Sequence, residues 1–386
     1  MSTDISSTEY TVVVYKQDGT IVGYITDFSD IAIGQVTNGY NTFQVSVLYD
    51  SLSASYLDID SLILVYRQNF SLGIPSSLVF GGTIIKTVIT EAPVTTLTAS
   101  AFGFEEILTR RIVAWKDTAR GKVVFPENKT AGFEYASSII RKLINTNIGS
   151  QATATLENYT NLVGTGRMIN GVITQFNDVP DNGDFGLAIS SYDGIAKQNL
   201  LSTVQEVAQE GHIGFELVWD PVTNNYSFNM NEDRIGADRT NSVIFSIGNG
   251  SVESIETTID YSQSWNVALM NGGGKGASER RYVYPESGKY PKGVNQRETY
   301  LTSATGQVKG NRATAVLEYK NMQKSLTQVV CSIQQTAGLL FGRDYFIGDL
   351  VSVVTAAGIL ELQVKQVTLS MSSDGVETIG VTLESE

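Results

Sequence analysis

The chain has 386 residues, more than one ordinary domain holds, and 42% of them are hydrophobic, which is enough to build real cores. Its net charge of −13 argues against a basic groove for nucleic acid and against binding to an anionic membrane surface. Charged residues make up only 17%, so much of the polar surface must be Ser, Thr, Asn and Gln.

The first third of the chain predicts an antiparallel β-barrel or sandwich, which we place at residues 1–114. Short β-branched and aromatic segments alternate there with turn residues. The predicted strands are residues 10–15, 21–25, 31–36, 42–48, 62–66, 78–89 and 94–102. Residues 62–66 are continuously apolar, as is typical of a central strand, and Gly81 with Gly82 predicts a break. A short helical turn at residues 103–111 leaves this region.

Residues 115–250 predict a mixed α+β insert. Apolar residues at helical spacing indicate a helix at residues 133–144, for which Thr130 is the expected N-cap. A second helix follows Asn199 as its N-cap and stops at Gly211. It leads into a strand–turn–strand unit, residues 213–219 and 226–230.

Residues 251–386 predict a second antiparallel β-barrel, with an exposed polar excursion at residues 272–310. The predicted strands are residues 252–259, 265–271, 327–335, 350–354, 359–371 and 376–383, and residues 313–322 suit a short helix. The apolar period shifts phase between Val364 and Val367, which predicts a bulge or a bend from one sheet to the next. Residues 372–375 end in Asp-Gly and predict a hairpin turn.

Three motifs that suggest chemistry have plainer interpretations. Residues 271–276 look like a phosphate loop, but Lys275 is followed by Gly276 instead of Ser or Thr, so we expect a surface loop. The one histidine, His212, lies at a helix–strand junction and is expected to cap or pack. Cys331 is the only cysteine, so no intramolecular disulfide forms, and its apolar neighbours predict a buried strand residue.

Acidic groups offer the remaining candidates for a catalytic or metal site. The possible carboxylate pairs are Glu105 with Glu106, Asp58 with Asp60, and Asp344 with Asp349. An acidic loop contains Asp178, Asp181, Asn182 and Asp184, but it lacks the spacing and the distal Glu of a calcium loop. Adjacent carboxylates on a helix do not face each other, and the other pairs suit turns and strand starts. We therefore expect no catalytic residue, no cofactor and no metal.

The ends of the chain carry no targeting signal that we can identify. Residues 1–9 lack a basic start and an apolar core, and no segment approaches the roughly 20 apolar residues of a membrane helix. We expect a soluble protein that is made in a cytoplasm.

The order of three stretches resembles the baseplate hub proteins at the end of phage tails. They are residues 103–111 leaving the first barrel, residues 200–219 followed by Asp220 and Pro221, and residues 342–351 entering the last barrel. The resemblance implies two tail-tube-like barrels per subunit and a homotrimer in which six barrels form a pseudo-sixfold ring. Such a ring would join the hexameric tail tube to threefold tip proteins and let DNA pass without binding it, and an acidic chain is compatible with a lining that repels phosphate.

The partners that the resemblance implies are a distal tail or tail tube ring, the tape measure protein, and tip, spike or fibre proteins, all within the virion and after synthesis in the host cytoplasm. Two alternatives stay open. One is a tail-tube-like oligomeric scaffold without the threefold role. The other is a β-rich tail protein that binds or hydrolyses glycans, in which exposed aromatic rings stack on sugars; its candidate residues are Tyr282, Tyr284, Tyr290 and Tyr300.

Overall fold

The fold is mainly β, with three α-helices among the residues that the structure describes. The computed structural model describes residues 8–113, 124–125, 134–150, 175–189, 192–193, 198–262, 264–271, 281–285, 289, 291–302, 326–333, 339–356 and 358–385. The first strands are β1 (Glu9–Tyr15), β2 (Ile21–Ile25), β3 (Asp30–Val36), β4 (Thr42–Leu48), β5 (Leu62–Asn69), β6 (Ile74–Thr90) and β7 (Thr96–Gly103).

The middle of the chain contains the helices and several short strands. The helices are α1 (Glu106–Thr109), α2 (Ala136–Asn147) and α3 (Leu200–Gly211). The strands are β8 (Val124–Phe125), β9 (Glu134–Tyr135), β10 (Gln175–Asn177), β11 (Ala188–Ile189), β12 (Tyr192–Asp193), β13 (Ile213–Asp220), β14 (Asn225–Glu232) and β15 (Ile244–Phe245).

The last third returns to strands. They are β16 (Val252–Asp260), β17 (Val267–Asn271), β18 (Arg281–Tyr284), β19 (Glu298–Thr302), β20 (Leu326–Ile333), β21 (Leu350–Thr355), β22 (Gly358–Met371) and β23 (Glu377–Glu384). β18 and β19, which the sequence did not predict, flank β17 in a separate three-stranded sheet.

One large sheet combines strands from both ends of the chain. Its order is β16-β20-β23-β22-β3-β4-β7-β6-β5-β1-β2, and β21 joins through β22 and β15 through β21. The two ends meet where β22 runs antiparallel to β3, from Gln366 opposite Val36 to Met371 opposite Ile31. The described residues contain no closed barrel, so the mainly β class is confirmed and the two barrels are not.

The bulge predicted in β22 is confirmed, and it explains how the two ends join. Before the bulge β22 pairs with β21, and after the register shift between Val364 and Gln366 it pairs with β3 on that side. A bulge bends a strand and increases its twist, so one strand serves two neighbours. The predicted hairpin turn follows, in which Gly375 has a φ of +77° and the Asp374 carboxylate accepts the Val376 N–H.

Of the predictions for glycines, helix caps and helix starts, some are confirmed and some are wrong. Gly81 and Gly82 do not break β6; a Cβ on Gly82 would lie 2.1 Å from the Phe102 carbonyl oxygen, so glycine permits close packing in a continuous strand. The Asn199 side chain caps α3 by accepting the Ser202 N–H, as predicted. α2 begins at Ala136, later than predicted, because residues 134–135 pair as a strand with β11. Thr130 and the predicted helix at residues 313–322 lie outside the described residues.

Two hydrophobic cores lie on the two sides of β1 and β5. The first core fills the inside of the large sheet and combines residues of both chain ends, such as Val45 and Val381. The second packs the opposite side of β1 and β5 against α2, α3 and β13, and its members include Leu64, Ile140 and Phe215. The continuously apolar run in β5 is therefore central, as predicted, because both of its faces are covered. The proposed domain boundaries stay predictions.

A buried ion pair ties the first chain third to the last strand. The Arg67 guanidinium is 0% exposed and donates to both Glu377 oxygens, at 2.7 and 2.6 Å. Arg67 also donates to the Phe341 carbonyl at 3.0 Å, and the Tyr10 hydroxyl donates to Glu377 at 2.5 Å. Burial alone would lower the pKa of Arg67, but the hydrogen bonds and charge of Glu377 outweigh it and raise that pKa. Every charge in this buried cluster is therefore compensated.

We predict that removing one partner of this pair destabilises the protein far more than removing both. Glu377→Gln leaves the guanidinium buried without a counter-charge and should cost about 3–5 kcal/mol of unfolding free energy. The double variant Arg67→Met with Glu377→Leu should recover most of that loss. Urea unfolding followed by circular dichroism measures both; equal losses in the single and double variants would contradict the interpretation.

Candidate functional site

Hydroxyl and amide side chains form one surface on the outer side of the large sheet, which we call the polar face. Alternate residues of β4 point in opposite directions, so Phe43 and Val45 enter the core while Gln44 points outward. Residues paired across strands share a side, so outward positions of five neighbouring strands form one surface. The polar face is Ala32, Gly34, Thr42, Gln44, Ser46, Thr96, Thr98, Ser100, Gln366, Thr368, Ser370, Thr378, Gly380 and Thr382.

The polar face crosses the seam between the two ends of the chain. Residues of β3 and β4 lie beside residues of β22 and β23 without a gap in pairing. A shallow cavity of about 230 Å³ opens at the seam, and Gln44, Ser46 and Ser370 line it together with Asp30. Hydroxyl and amide groups with no Lys or Arg offer no strong site for phosphate, so this surface can lie next to nucleic acid without holding it.

A second feature is a set of side chains from the first third of the chain that hydrogen-bond the backbone groups along one edge of β13. The Asn38 amide donates to the Ile213 carbonyl and accepts the Phe215 N–H, both at 2.8 Å. Two residues further on, the Glu105 carboxyl accepts the Leu217 N–H at 3.2 Å. These contacts replace a neighbouring strand, so the edge of β13 is not left with unpaired backbone groups.

Burial makes Glu105 an unusual carboxyl group. It is 6% exposed, and this burial raises its pKa to about 7 against the opposing effect of its backbone hydrogen bonds. Glu106, its sequence neighbour, instead forms an ion pair with Arg110 at 2.6 Å. The two carboxyl groups thus make separate contacts.

Asp349 holds a loop from the middle region against the last third. Its carboxylate is 2% exposed and accepts the Ala237 and Phe346 N–H groups and the Arg239 Nε–H, at 2.7 to 2.8 Å. Backbones approach closely here, because a Cβ on Gly236 would lie 2.2 Å from the Asp349 nitrogen. Asp349 does precede β21, as the sequence predicted, but its burial and its partners could not be read from that position.

The remaining carboxylates bind separate protein groups. Asp344 pairs with Arg343 and accepts the Leu340 N–H, whereas Asp349 accepts from Ala237, Phe346 and Arg239. Asp60 has a φ of +66° and its N–H bonds the Ile84 carbonyl, which confirms the turn role predicted for it and Asp58.

The acidic loop is fastened to α2. Asp181 and Asp184 both pair with Arg141, while Asp178 accepts hydrogen bonds from Ser150. Its carboxylates are therefore directed at protein groups. Within the ranges that the structure describes, no cluster of three or more His, Cys, Asp or Glu residues could hold a metal ion.

The other candidates have structural roles. His212 is in the left-handed region, with a φ of +53°, and its backbone N–H closes the C-terminus of α3, as predicted for a capping residue. Cys331 is 1% exposed in β20, and burial raises the pKa of its thiol to about 11, so it is a packing residue. Residues 272–276 of the glycine-rich loop, with Lys275, lie outside the described residues.

The tyrosines do not form one platform. Tyr284 pairs with Ala268 and Tyr300 with the next residue, Leu269, so the two rings project from opposite sides of the β17 sheet. Tyr290 and the side chain of Tyr282 lie outside what the structure describes. None of the helices in the described part of the chain has both the length and the hydropathy that crossing a bilayer requires.

Sequence reasoning missed Arg67, Glu377 and Asn38. Arg67 follows a continuously apolar strand, and a cation in such a run is a signal for a buried partner. The partner lies 310 positions away, which no local pattern reveals. Asn38 has a φ of +55° in the β3–β4 turn, so it was hidden among ordinary turn residues.

We predict that Glu105 makes the protein less stable as the pH rises from about 4.5 to about 7. The folded state keeps a proton on Glu105 that the unfolded state releases over this range, so unfolding is favoured as the pH increases. The shift corresponds to at most about 3 kcal/mol. Glu105→Gln keeps an acceptor for Leu217 and removes the charge.

The measurement is the difference in unfolding free energy between wild type and Glu105→Gln across this pH range. The variant should gain stability relative to wild type toward pH 7 and not near pH 4.5. Glu91→Gln, at an exposed position, is the control. A constant difference across the range would contradict a buried, titrating Glu105.

Comparisons with known proteins agree on one type of fold. The tail protein from Neisseria meningitidis MC58 has a TM-score of 0.55 at 11% identity, over 98% of this chain and 97% of that one. The prophage MuSo2 43 kDa tail protein from Shewanella oneidensis has a TM-score of 0.53 at 14% identity, over 98% of both chains. Prophage tail protein gp18 from Listeria monocytogenes EGD-e has 0.54 at 12% identity, over 97% of this chain and 94% of that one.

At these identities the structural similarity shows a shared fold, and the family assignment rests on the sequence. No curated protein matches the chain. The model of the family described as Siphovirus ReqiPepy6 Gp37-like protein matches residues 11–383, nearly the whole length. The resemblance to phage tail proteins is thereby confirmed, and the chain belongs to the Siphovirus ReqiPepy6 Gp37-like protein family.

Proposed function

We propose that the protein is the structural hub of a bacteriophage tail tip, in which three copies form a ring around the path of the DNA. The observation that carries the proposal is a run of eight antiparallel strands within one chain, β16-β20-β23-β22-β3-β4-β7-β6. Four strands come from the last third of the chain and four from the first. Three copies would supply six such four-stranded units, a pseudo-sixfold ring with threefold symmetry.

Such a ring would fit between a sixfold-symmetric and a threefold-symmetric part of the tail. One surface would meet the hexameric tail tube or distal tail ring, and the other would meet threefold tip, spike or fibre proteins. The tape measure protein would end in its lumen. The tail proteins that share the fold support a place in the virion tail, since their own descriptions are of tail and prophage tail proteins.

The polar face would line the lumen. It lies on the strands that form the ring, and its residues carry hydroxyl and amide groups with no Lys or Arg, while Asp30 opposite Ser46 adds a carboxylate on the same side. DNA would then pass without phosphate contacts that slow it, and the net charge of −13 adds a general repulsion.

The proposal includes no catalytic duty. Separate contacts hold Glu105 and Glu106, and others hold Asp344 and Asp349, which disfavours glycan hydrolysis by these pairs. Tyr284 and Tyr300 project from opposite sides of their sheet, which disfavours a shared sugar platform. A scaffold without the threefold role remains the second candidate, and copy number separates it from the hub.

We expect three copies at each tail tip. Size-exclusion chromatography with light scattering should give three times 41.9 kDa for the assembled chain, and a map of the tail tip should show threefold symmetry at this position. Six copies, or a twofold dimer, would refute the hub and favour the scaffold.

We also expect positive charge on the polar face to slow DNA ejection. Thr368→Lys with Ser370→Lys would place six ammonium groups around the lumen of a trimer. Ejection, followed by dye fluorescence of released DNA, should slow several-fold, and added salt should relieve the effect because phosphate contacts are screened. Val222→Lys, at a position 90% exposed outside the polar face, is the matched control. An unchanged rate of DNA ejection in the double variant would contradict the placement of the polar face in the lumen.

A further inference from the structure

We propose that the cavity at the seam, which we call the seam cavity, binds the lysine side chain of a different tail protein. The seam cavity lies between β3 and β4 on one side and β22 and β23 on the other, within the polar face. This inference rests on the proposed function, in which the chain contacts other tail proteins, and it specifies the chemistry of one such contact.

The seam cavity lies at the end of the strands that the chain itself leaves uncovered. At this end β3 begins, with Asp30 opposite Ser46, and β22 finishes opposite Ile31. The opposite end is covered by the middle region, because Asn38 bonds β13 and the Gln205 amide of α3 donates to the Asn38 carbonyl at 2.8 Å. Among the described residues, no hydrogen bond joins the loops beside the seam cavity to the middle region.

The polar groups of the seam cavity are available to a ligand. Four exposed side chains that line it have no hydrogen-bond or ion-pair partner in the part of the chain that the structure describes: Asp30, Gln44, Ser370 and Thr378. One of them is a carboxylate, and the other three offer neutral oxygen acceptors. Such a set favours a cation that carries several N–H donors.

The size of the seam cavity favours a single side chain, and the arrangement of its acceptors favours lysine. Its volume of about 230 Å³ lies below the roughly 300–1,000 Å³ of sites for small molecules. A guanidinium is a planar fork that matches one carboxylate, whereas an ammonium is a compact charge with three donors in different directions. Four strands surround the seam cavity with acceptors, and Met371 and Val376 offer apolar contacts for the lysine stem.

The loops around the seam cavity add negative charge and no positive charge. Residues 26–29, 49–61, 91–95 and 372–376 contain no Lys, Arg or His. Together with the first residue of β3 they carry seven carboxylates without an ion-pair partner among the described residues: Asp27, Asp30, Asp50, Asp58, Asp60, Glu91 and Asp374. Exposed apolar side chains lie in the same loops: Tyr49, Leu52, Ile59, Val94 and Val376. The complementary partner surface presents lysine beside apolar groups.

A second copy of this chain is a poor occupant of the seam cavity. Two such ends placed face to face would bring like charges together. In the proposed ring, rotation about the axis keeps this end of every copy facing the same way along the axis, so a protein above or below the ring meets it. Asp30 would neutralise the bound lysine, which would therefore not hold DNA at the end of the polar face.

Cross-linking without a spacer in purified tails tests this site. A water-soluble carbodiimide activates a carboxylate, and a lysine amine in contact with it then forms an amide bond as the carbodiimide leaves as its urea. Mass spectrometry should find a peptide with Asp30 joined to a lysine of another tail protein. Asp30→Asn should abolish this cross-link. Glu361→Gln, which removes an exposed carboxylate elsewhere on β22, is the matched control and should keep it.

A second variant distinguishes a lysine site from a carboxylate that lies on an open surface. Ser370→Phe keeps Asp30 but fills the seam cavity with an aromatic ring, so the Asp30 cross-link should decrease several-fold. Thr368→Phe, on the same side of β22 but outside the lining of the seam cavity, should leave it unchanged. An equal decrease in both phenylalanine variants would contradict binding in the seam cavity.

Immunoblots for the chain in each tail preparation separate loss of the cross-link from loss of the chain. No Asp30 cross-link in tails that contain the wild-type chain would overturn the lysine site. A cross-link to a lysine of a second copy would overturn the choice of partner. Both results leave the proposed hub standing, because copy number tests it separately; a copy number other than three would refute the hub and leave an observed Asp30 cross-link valid.

Discussion

The fold depends on one seam, where β22 from the end of the chain pairs with β3 from its beginning. Backbone hydrogen bonds along the seam give it a defined register, and a single core beneath it contains residues of both chain ends. The Arg67–Glu377 pair adds a directional bond across the same junction. A buried ion pair contributes little net stability, but it disfavours every arrangement that separates its partners. The two four-stranded halves therefore behave as one piece.

In the proposed ring, a rigid seam would have a functional reason. If the two halves of the chain could rotate against each other, three chains would not define six equal positions around an axis. The bulge after Val364 lets a single strand connect the two halves. β22 pairs with β21 before the bulge and with β3 after it, and no loop interrupts the strand. The polar face crosses this joint unbroken, which a flexible linker would not allow.

Strand edges are handled in two ways in this molecule. The edge of β13 is closed inside the chain by Asn38 and Glu105, whose side chains bond the backbone as a neighbouring strand would. Closing it requires a carboxyl group in an apolar site, and burial accordingly favours the protonated form of Glu105. The outer stretch of β6 and the length of β16 receive no such partner among the described residues.

The sequence by itself determined the strands that both chain ends contribute to the large sheet, the bulge in β22, the hairpin turn after it and the cap of α3. Each of these features depends on the alternation of apolar and polar residues, on turn residues or on capping groups within a few positions, so the local sequence is enough to predict it. Only the tertiary structure decided that the two ends share one sheet and that Arg67 meets Glu377 across 310 positions. It also decided that Asn38 and Glu105 hydrogen-bond the edge of β13. Packing over the whole chain determines which strands become neighbours and which buried groups become partners, and the periodicity of the sequence does not encode these long-range pairings.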